Sequence, residues 1–456
     1  MMRLYKNVAV ILMVGCCAGF LGCEKFLDEK TNRKLAVPAT LQDFQALLDH
    51  TDMNVSAPSA GEISSDAYYL TDKKWAGLES ENQRRMYIWE KENLFNTGYN
   101  DWNDTYKAIY TCNTVLSGIP QVKRTAVNAA EWDNVKGQAL YCRGNNYLDA
   151  VIVWSLAYDQ TTASIDLGLP LRLNTDFNEV SVRSSVRQTY EQIIQDIKGS
   201  IHLLPLVPLS KFRPSRAAAY GLLARTYLSM RDYENAGQYA DSCLALNENL
   251  LDYNTLKFTG NYPIVAANNT EALYFRFMSF SNIIYNNLPI VTPEIYNSYA
   301  PDDLRKQAFF KKNTDNTFWF RGSYGGNYGL FCGIATNEIF LIKSECLARM
   351  GKVTESMNIL NKLLVKRWSN KATYMPYTAS GTDDALKVVL AERRKELVMN
   401  SLRWMDIKRL NKEGASIKLT RNLNGKVYEL AANDLRFALP IPEDVIALSG
   451  MIQNRR

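Results

Sequence analysis

Histidine is almost missing from this chain: its 456 residues include two, His50 and His202, and neither has a second histidine at helical spacing. That excludes zinc chemistry of the H-E-x-x-H type and leaves histidine-based hydrolytic triads almost without candidates. Cysteine is scarce in a different way. Cys16, Cys17 and Cys23 crowd the N-terminus, and beyond them stand only Cys112, Cys142, Cys243, Cys332 and Cys346, an odd number with no C-x-x-C pair and no short spacing to a histidine. Metal and redox readings both fail, so no cofactor and no metal are expected. Four of these five cysteines fall in helical patterns, which points to buried free thiols rather than disulfides, even in an exported chain. A strong charge of one sign is also lacking: the formal net charge is +6, Arg3 and Lys6 supply two of it ahead of the first apolar segment, and nothing resembles a nucleic-acid binder. The apolar run from Val8 to Gly22 is interrupted by Gly15 and Gly19 and falls short of the roughly 20 residues that a spanning helix needs.

What is present begins at that run. A basic start, an uncharged apolar stretch and a small residue before Cys23 are the layout of an export signal with a cleavage site, so residues 1–22 are read as removed. "FLGC" resembles a bacterial lipobox, in which the cysteine after the small residue is acylated and becomes the mature N-terminus. Phe20 stands where the lipobox usually has an aliphatic residue. The resemblance assigns Cys23 as the lipidation site and leaves Cys16 and Cys17 as small hydrophobes. Several acyl chains would anchor the protein to a bilayer without spanning it.

The remaining chain is longer than the ~250–300 residues at which a single core stops growing, so at least two lobes are expected. "DWNDTYKAIYTCNTVLSG" places Trp102, Tyr106, Ile109, Tyr110, Asn113 and Leu116 three and four apart, which predicts an amphipathic helix over 101–118. Residues 131–156 give another. "SSVRQTYEQIIQDIKGSIHLLP" opens on a capping-box pattern, Ser185 and Gln188, and stops at Pro205, giving a third. "RPSRAAAYGLLARTYLSMRDYENAGQYADSCLAL" reads as helix, turn and helix, with Tyr220, Leu223, Ala224, Tyr227, Ala236 and Cys243 at tetratricopeptide-like positions and Ala240 where that repeat has an aromatic. "FLIKSECLARMGKVTESMNILNKLL" repeats the pattern 120 residues later. The fold expected is mainly α, a tetratricopeptide-like helical repeat superhelix carrying a loop-rich second lobe with little β structure. Its helical platform covers about 100–250 and 334–412, and the loop-rich lobe about 57–99, 252–333 and 413–456.

An ordered series of motifs then runs along the whole chain: the lipobox and "KFLDEK", "ISSDAYY" around Asp66, "WNDTYKAIYTCNTVL", "RQTYEQIIQDIKGSIHLLP", "EIFLIKSECLARMGK", "LAERRKELVMNSLRWMDIKRL" and "FALPIPEDVIALSGMIQN". In that order they resemble the SusD/RagB family of nutrient-uptake outer-membrane lipoproteins. "MNSLRW" and "QNRR" depart from the family's acidic-Gly and Pro-Gly endings at those places. The resemblance implies a non-enzymatic, cell-surface binding protein that sits as a lid on a SusC-like TonB-dependent barrel transporter, captures a glycan or oligopeptide, and delivers it. A helical-repeat scaffold that docks other proteins, with no small ligand, is the alternative.

The aromatics of the loop-rich segments are the candidate ligand contacts. Trp102, Trp132, Trp154, Trp368 and Trp404 lie on helical patterns and are assigned to the core. Trp75 stands among polar neighbours in "YYLTDKKWAGLE"; Trp319, Tyr324 and Tyr328 stand in "NTFWFRGSYGGNYGLF", where Gly325 and Gly326 permit unusual backbone angles. A sugar offers an apolar C–H face and a rim of hydroxyls, so flat aromatics need polar side chains beside them: Asp72, Lys73, Arg321 and Asn327 serve here. Trp89, in "MYIWEKE", is added, although its neighbours suggest a segment packed on the platform. A peptide would use the same loops through backbone hydrogen bonds. Glu392, Glu396 and Asp406 could pose as paired catalytic carboxylates, but two of them share one helix face amid Arg393, Arg403 and Arg409, which predicts an ion-pair network locking helices.

Overall fold

The computed structural model describes residues 37–456; the export signal expected over 1–22 and the expected lipidation site Cys23 lie outside the described residues. Helices of eight or more residues are labelled here α1 (Leu41–Leu48), α2 (Asp101–Gly118), α3 (Ala129–Trp154), α4 (Val186–Ile201), α5 (Arg216–Met230), α6 (Tyr233–Leu246), α7 (Thr336–Arg349), α8 (Val353–Leu364), α9 (Thr382–Glu396) and α10 (Arg403–Asn411). The fold is mainly α-helical. Several of the long helices start at a side-chain cap. Asn100 accepts from the Asn103 N–H at the head of α2, and Ser185 and Gln188 close a reciprocal capping box on α4. The turn between α5 and α6 is made by Arg231 in the left-handed region (φ 63°), and Asp232 then caps α6.

Consecutive helices from α2 to α6 pack in order, α6 continues onto α7, and α7 packs on both α8 and α9. Small residues set the spacing. A Cβ at Gly144 of α3 would lie 2.8 Å from Ile197 of α4, and one at Gly237 of α6 would lie 3.3 Å from Cys346 of α7. Cys112, Cys142, Cys243, Cys332 and Cys346 are all buried and free, as their spacing predicted. Trp102, Trp154 and Trp404 are core residues; Trp368 lies beyond the end of α8, bridged to Asp303, because that helix stops at Leu364.

The irregular segments hold more structure than their periodicity suggests. Residues 57–99 contain helices Ala60–Ser64, Asp72–Ala76 and Glu81–Tyr87, each too short to show an apolar stripe. The β structure, among the described residues, consists of five two-stranded antiparallel pairs that never merge into a larger sheet. One is a hairpin, Leu419–Leu423 with Lys426–Leu430, turned by Asn424 and Gly425 at φ 49° and 75° and placing Leu419, Arg421 and Leu423 inward. Asn-Gly is the sequence signal for such a turn, and the helical reading passed over it.

Buried ion pairs tie these segments to the helices. Arg305 pairs with Asp303 at 2.6 Å and with Glu392 of α9 at 2.7 Å, and Arg367 pairs with Glu396 at 2.7 Å and Glu271 at 2.8 Å. Arg409 of α10 joins Glu345 of α7 to Asp406, which also receives Arg393. The expected network is present, but Glu392 and Glu396 face arginines of the irregular segments rather than those nearby in sequence. Arg403 and Arg394 both hold Asp66 of the "ISSDAYY" motif; burial opposes its ionisation, and the Arg403 guanidinium outweighs burial and holds the carboxyl at about 2. Residues Thr40–Arg456 form one compact unit. No helix among the described residues is long and apolar enough to cross a membrane.

Candidate functional site

An open cavity of about 860 Å³ lies between the end of α1, one face of α2, and the chain around 277–285 and 327–329. Its apolar wall is a cluster of three rings. Phe280 stacks on Tyr285 with centroids 4.9 Å apart and planes 6° from parallel, and Tyr328 stands edge-on to both, at 6.1 and 5.9 Å. Tyr285 is anchored, its hydroxyl donating to the Met278 carbonyl at 2.8 Å, whereas Phe280 is 63% and Tyr328 52% exposed. Tyr99, 89% exposed at the approach to α2, also lines the hollow.

The polar wall comes mainly from α2. Lys107 reaches Asp52 at 2.6 Å, and this ammonium holds the Asp52 carboxyl below its ordinary range. The Ser279 hydroxyl donates to Asp104 at 3.2 Å. Behind this wall Asp101 accepts from the Ala60 N–H at 2.8 Å and from the Ser59 hydroxyl; burial pushes its carboxyl up to about 7. Flat rings thus face carboxylates, a hydroxyl and an ammonium across one hollow, an arrangement that takes a ligand with apolar faces and hydroxyl edges.

Of the residues singled out from the sequence, Asn327 and Tyr328 line this cavity. Their loop is braced by Gly326 at φ 73° and by the Asn327 side-chain oxygen Oδ1, which accepts from the Gly329 N–H at 2.8 Å. The others lie elsewhere. Tyr324 is buried, its hydroxyl accepting from Asn337 at 2.6 Å and its ring tilted on Phe331. Arg321 is buried too: its guanidinium donates to the carbonyls of Gln307, Gly260 and Phe258, tying the 258–260 segment to the short helix Arg305–Phe309. Trp89 is in the core with its indole N–H on the Ser64 carbonyl at 3.0 Å and Arg421 over its ring. Trp319 sits in the strand Phe318–Phe320, almost covered and edge-on to Tyr262. Trp75 is half-buried on the helix Asp72–Ala76, its indole donating to the Arg84 carbonyl; Asp72 and Lys73 are exposed beside it, and Asp72 accepts from the Asn424 N–H. None of these lines the large cavity. Phe280, Tyr285 and Tyr99 were missed because isolated aromatics without a tryptophan carry no motif, although "FMSFSN" does set Phe280 among small polar neighbours.

A helical scaffold with an open, ring-lined hollow defines a binding protein. Two family models fix which kind. One, described as starch-binding and associating with the outer membrane, matches residues 25–228, and the SusD family model matches 334–454. The chain belongs to the SusD/RagB family, non-catalytic binding proteins of outer-membrane nutrient uptake. It is 21% identical to SusD-like protein P38 of Formosa agariphila over 93% of this chain and 95% of that one, and 24% identical to SusD-like protein P2 of the same organism over 99% of both. Among solved structures it is similar to a SusD superfamily protein of Bacteroides thetaiotaomicron, with TM-score 0.71, 20% identity and coverage of 92% and 100%. A SusD-like carbohydrate binding protein of Bacteroides vulgatus gives TM-score 0.66 and 18% identity over 90% of this chain and 97% of that one.

Proposed function

We propose that this protein captures a glycan in the cavity between α1, α2 and the Phe280–Tyr328 rings, as a lipid-anchored subunit on the cell surface, and delivers it to a SusC-like TonB-dependent barrel. The observation that carries this reading is the Phe280–Tyr285–Tyr328 cluster standing opposite Asp104 and Lys107. Exposed rings offer a face to sugar C–H groups, and the opposite wall supplies charged hydrogen-bonding partners for hydroxyls. The carbohydrate-binding description of the Bacteroides vulgatus neighbour supports the ligand class. On this reading the stacked helices form the tetratricopeptide-like superhelical platform that faces the barrel, the irregular segments form the ligand lobe, and acylated Cys23 fixes the chain to outer-membrane lipid.

Calorimetric titration of the mature protein against purified glycans and a mixed peptide digest tests the reading. A saturable glycan should bind, and Tyr328→Ala should weaken it about tenfold, the scale of one lost ring contact. Heat from peptides alone overturns the ligand class. Glycan binding that Tyr328→Ala and Phe280→Ala leave unchanged overturns the site. Copurification of a barrel without any soluble ligand would favour the scaffold reading.

A further inference from the structure

On the other side of α2 lies a second cavity, of about 480 Å³, that the proposed capture site does not include. Lys107 lines both hollows, so they adjoin across the helix. The second one has an aromatic wall of its own. Phe177 lies on Tyr110 with centroids 4.9 Å apart and planes 30° from parallel, yet Phe177 remains 79% exposed.

An apolar ring so exposed on a mobile loop would be unremarkable, but this loop is braced at both ends. Arg172 donates to the backbone carbonyls of Asp176 and Glu179, and Asn174 donates to the Glu179 carboxylate at 2.8 Å. Two buried residues pin the loop's base to the helices: Asn113 of α2 donates to the Arg172 carbonyl at 2.8 Å, and the Tyr147 hydroxyl of α3 donates to the same oxygen at 2.7 Å. Phe177 is therefore presented by fixed backbone, which removes the ordering cost that a ligand would otherwise meet. Asp176, Glu179 and Ser181 border the ring pair with acceptors and a hydroxyl. Rings with a carboxylate and hydroxyl rim repeat the chemistry of the first cavity.

We infer that the Tyr110–Phe177 pair is a second sugar subsite, which takes the continuation of a glycan chain that crosses α2 at Lys107 from the first cavity. The inference rests on the glycan reading of that first site and makes the protein selective for long chains over short ones.

The test is titration of the full mature protein with size-fractionated ladders of α-glucan, xylan and mannan, in the wild type and in Phe177→Ala, Tyr110→Ala and Tyr328→Ala. Phe177 is exposed at a loop tip, so Phe177→Ala should fold normally, and unchanged circular dichroism and melting confirm that. Long members of the ladder that binds should bind the wild type about five- to tenfold more tightly than short ones. Phe177→Ala and Tyr110→Ala should remove that gain and leave short-chain affinity within twofold, while Phe177→Trp keeps it. Long-chain binding that Phe177→Ala leaves unchanged, with Tyr328→Ala still weakening it, overturns the second subsite and spares the first. A wild type that binds no ladder overturns both.

Discussion

Between α3 and α4 the backbones close on each other at Gly144, where one added carbon would meet both Ile197 and the Ile193 carbonyl. Between residues 258 and 321 there is no such approach, and Arg321 instead spreads its guanidinium over three carbonyls. The same contrast recurs through the molecule. Helices satisfy their own backbone, so α2 to α8 can pack closely at small residues, with buried pairs such as Arg143–Asp196 between α3 and α4 added to that packing. Irregular chain does not, and its carbonyls are met by buried arginine: Arg225 on Cys332 and Gly333, Arg367 on Leu251, Arg421 on Ser65 and Tyr68. Three of these arginines are in turn neutralised or stacked. Arg225 meets Glu338 at 2.6 Å, Arg367 meets two glutamates, and Arg421 lies over Tyr87. The lesson is that irregular chain on a helical frame needs buried arginine for its carbonyls, a demand that the self-satisfied helix backbone does not make.

The largest break in that contrast is Arg367→Met. It strands Glu271 in the interior, leaves Glu396 with Arg305 as its one remaining cation, and takes the donor from the Leu251 carbonyl. Removing one partner of a buried pair costs about 3–5 kcal/mol, so the urea midpoint should fall steeply with the slope preserved. A loss under about 1 kcal/mol would show that the irregular segments do not depend on their arginines.

Glu62 sharpens the comparison, because it is a buried carboxyl in the irregular region whose hydrogen-bond partners are only the Ser65 hydroxyl and the Ser401 N–H. Burial pushes it from 4.5 up to about 7. A raised folded value means the fold holds the proton more tightly than the unfolded chain does. Its stabilising contribution is complete below pH 4.5 and is lost as the pH rises through 7. Glu62→Gln should therefore match the wild type near pH 4 and exceed it by up to roughly 3 kcal/mol above pH 7, read as a difference in urea midpoints. An equal difference at both pH values would mean that Glu62 is ionised throughout.

These two sites also mark what was legible in the sequence. Helices α2 to α8 were readable because three- and four-residue periodicity persists over a dozen or more residues, and where a cap was read, as in the capping box at Ser185, it is there in the structure. The cavity was legible only at Asn327 and Tyr328. Tyr324 and Arg321 sit three and six residues from Asn327 in the same glycine-flanked stretch, yet both turn inward, because irregular backbone needed a guanidinium and Asn337 needed a hydroxyl. Which side of a loop faces the solvent has no period to announce it. Phe280 and Phe177 are exposed through tertiary placement, and a lone phenylalanine gives no local sign of that.

On the helical side, Gly144→Ala probes shape directly. Its Cβ would stand 2.8 Å from Ile197 and 3.3 Å from the Ile193 carbonyl oxygen, and the oxygen belongs to backbone that cannot step aside. Overpacking of this kind costs about 1–3 kcal/mol, partly offset by alanine's better helix propensity. The melting temperature should fall. A rise would mean that α3 and α4 can separate without loss, and that the close approach is not what holds the frame.

The smallest effect should come from Arg213→Ala. Arg213, in the link between α4 and α5, makes a two-pronged pair with Asp49 at the end of α1, at 2.8 and 2.5 Å, which geometrically equals the buried pairs. Asp49 is exposed and Arg213 partly so, so the charges keep much of their solvation when apart and are screened by salt when together. The expected cost is under about 1 kcal/mol and should shrink further at high ionic strength. Arg367→Met and Arg213→Ala thus remove similar contacts in different surroundings, and the ratio of their effects measures burial itself. A cost for Arg213→Ala as large as that for Arg367→Met would show that joining distant chain segments, rather than neutralising buried charge, is what these arginines contribute.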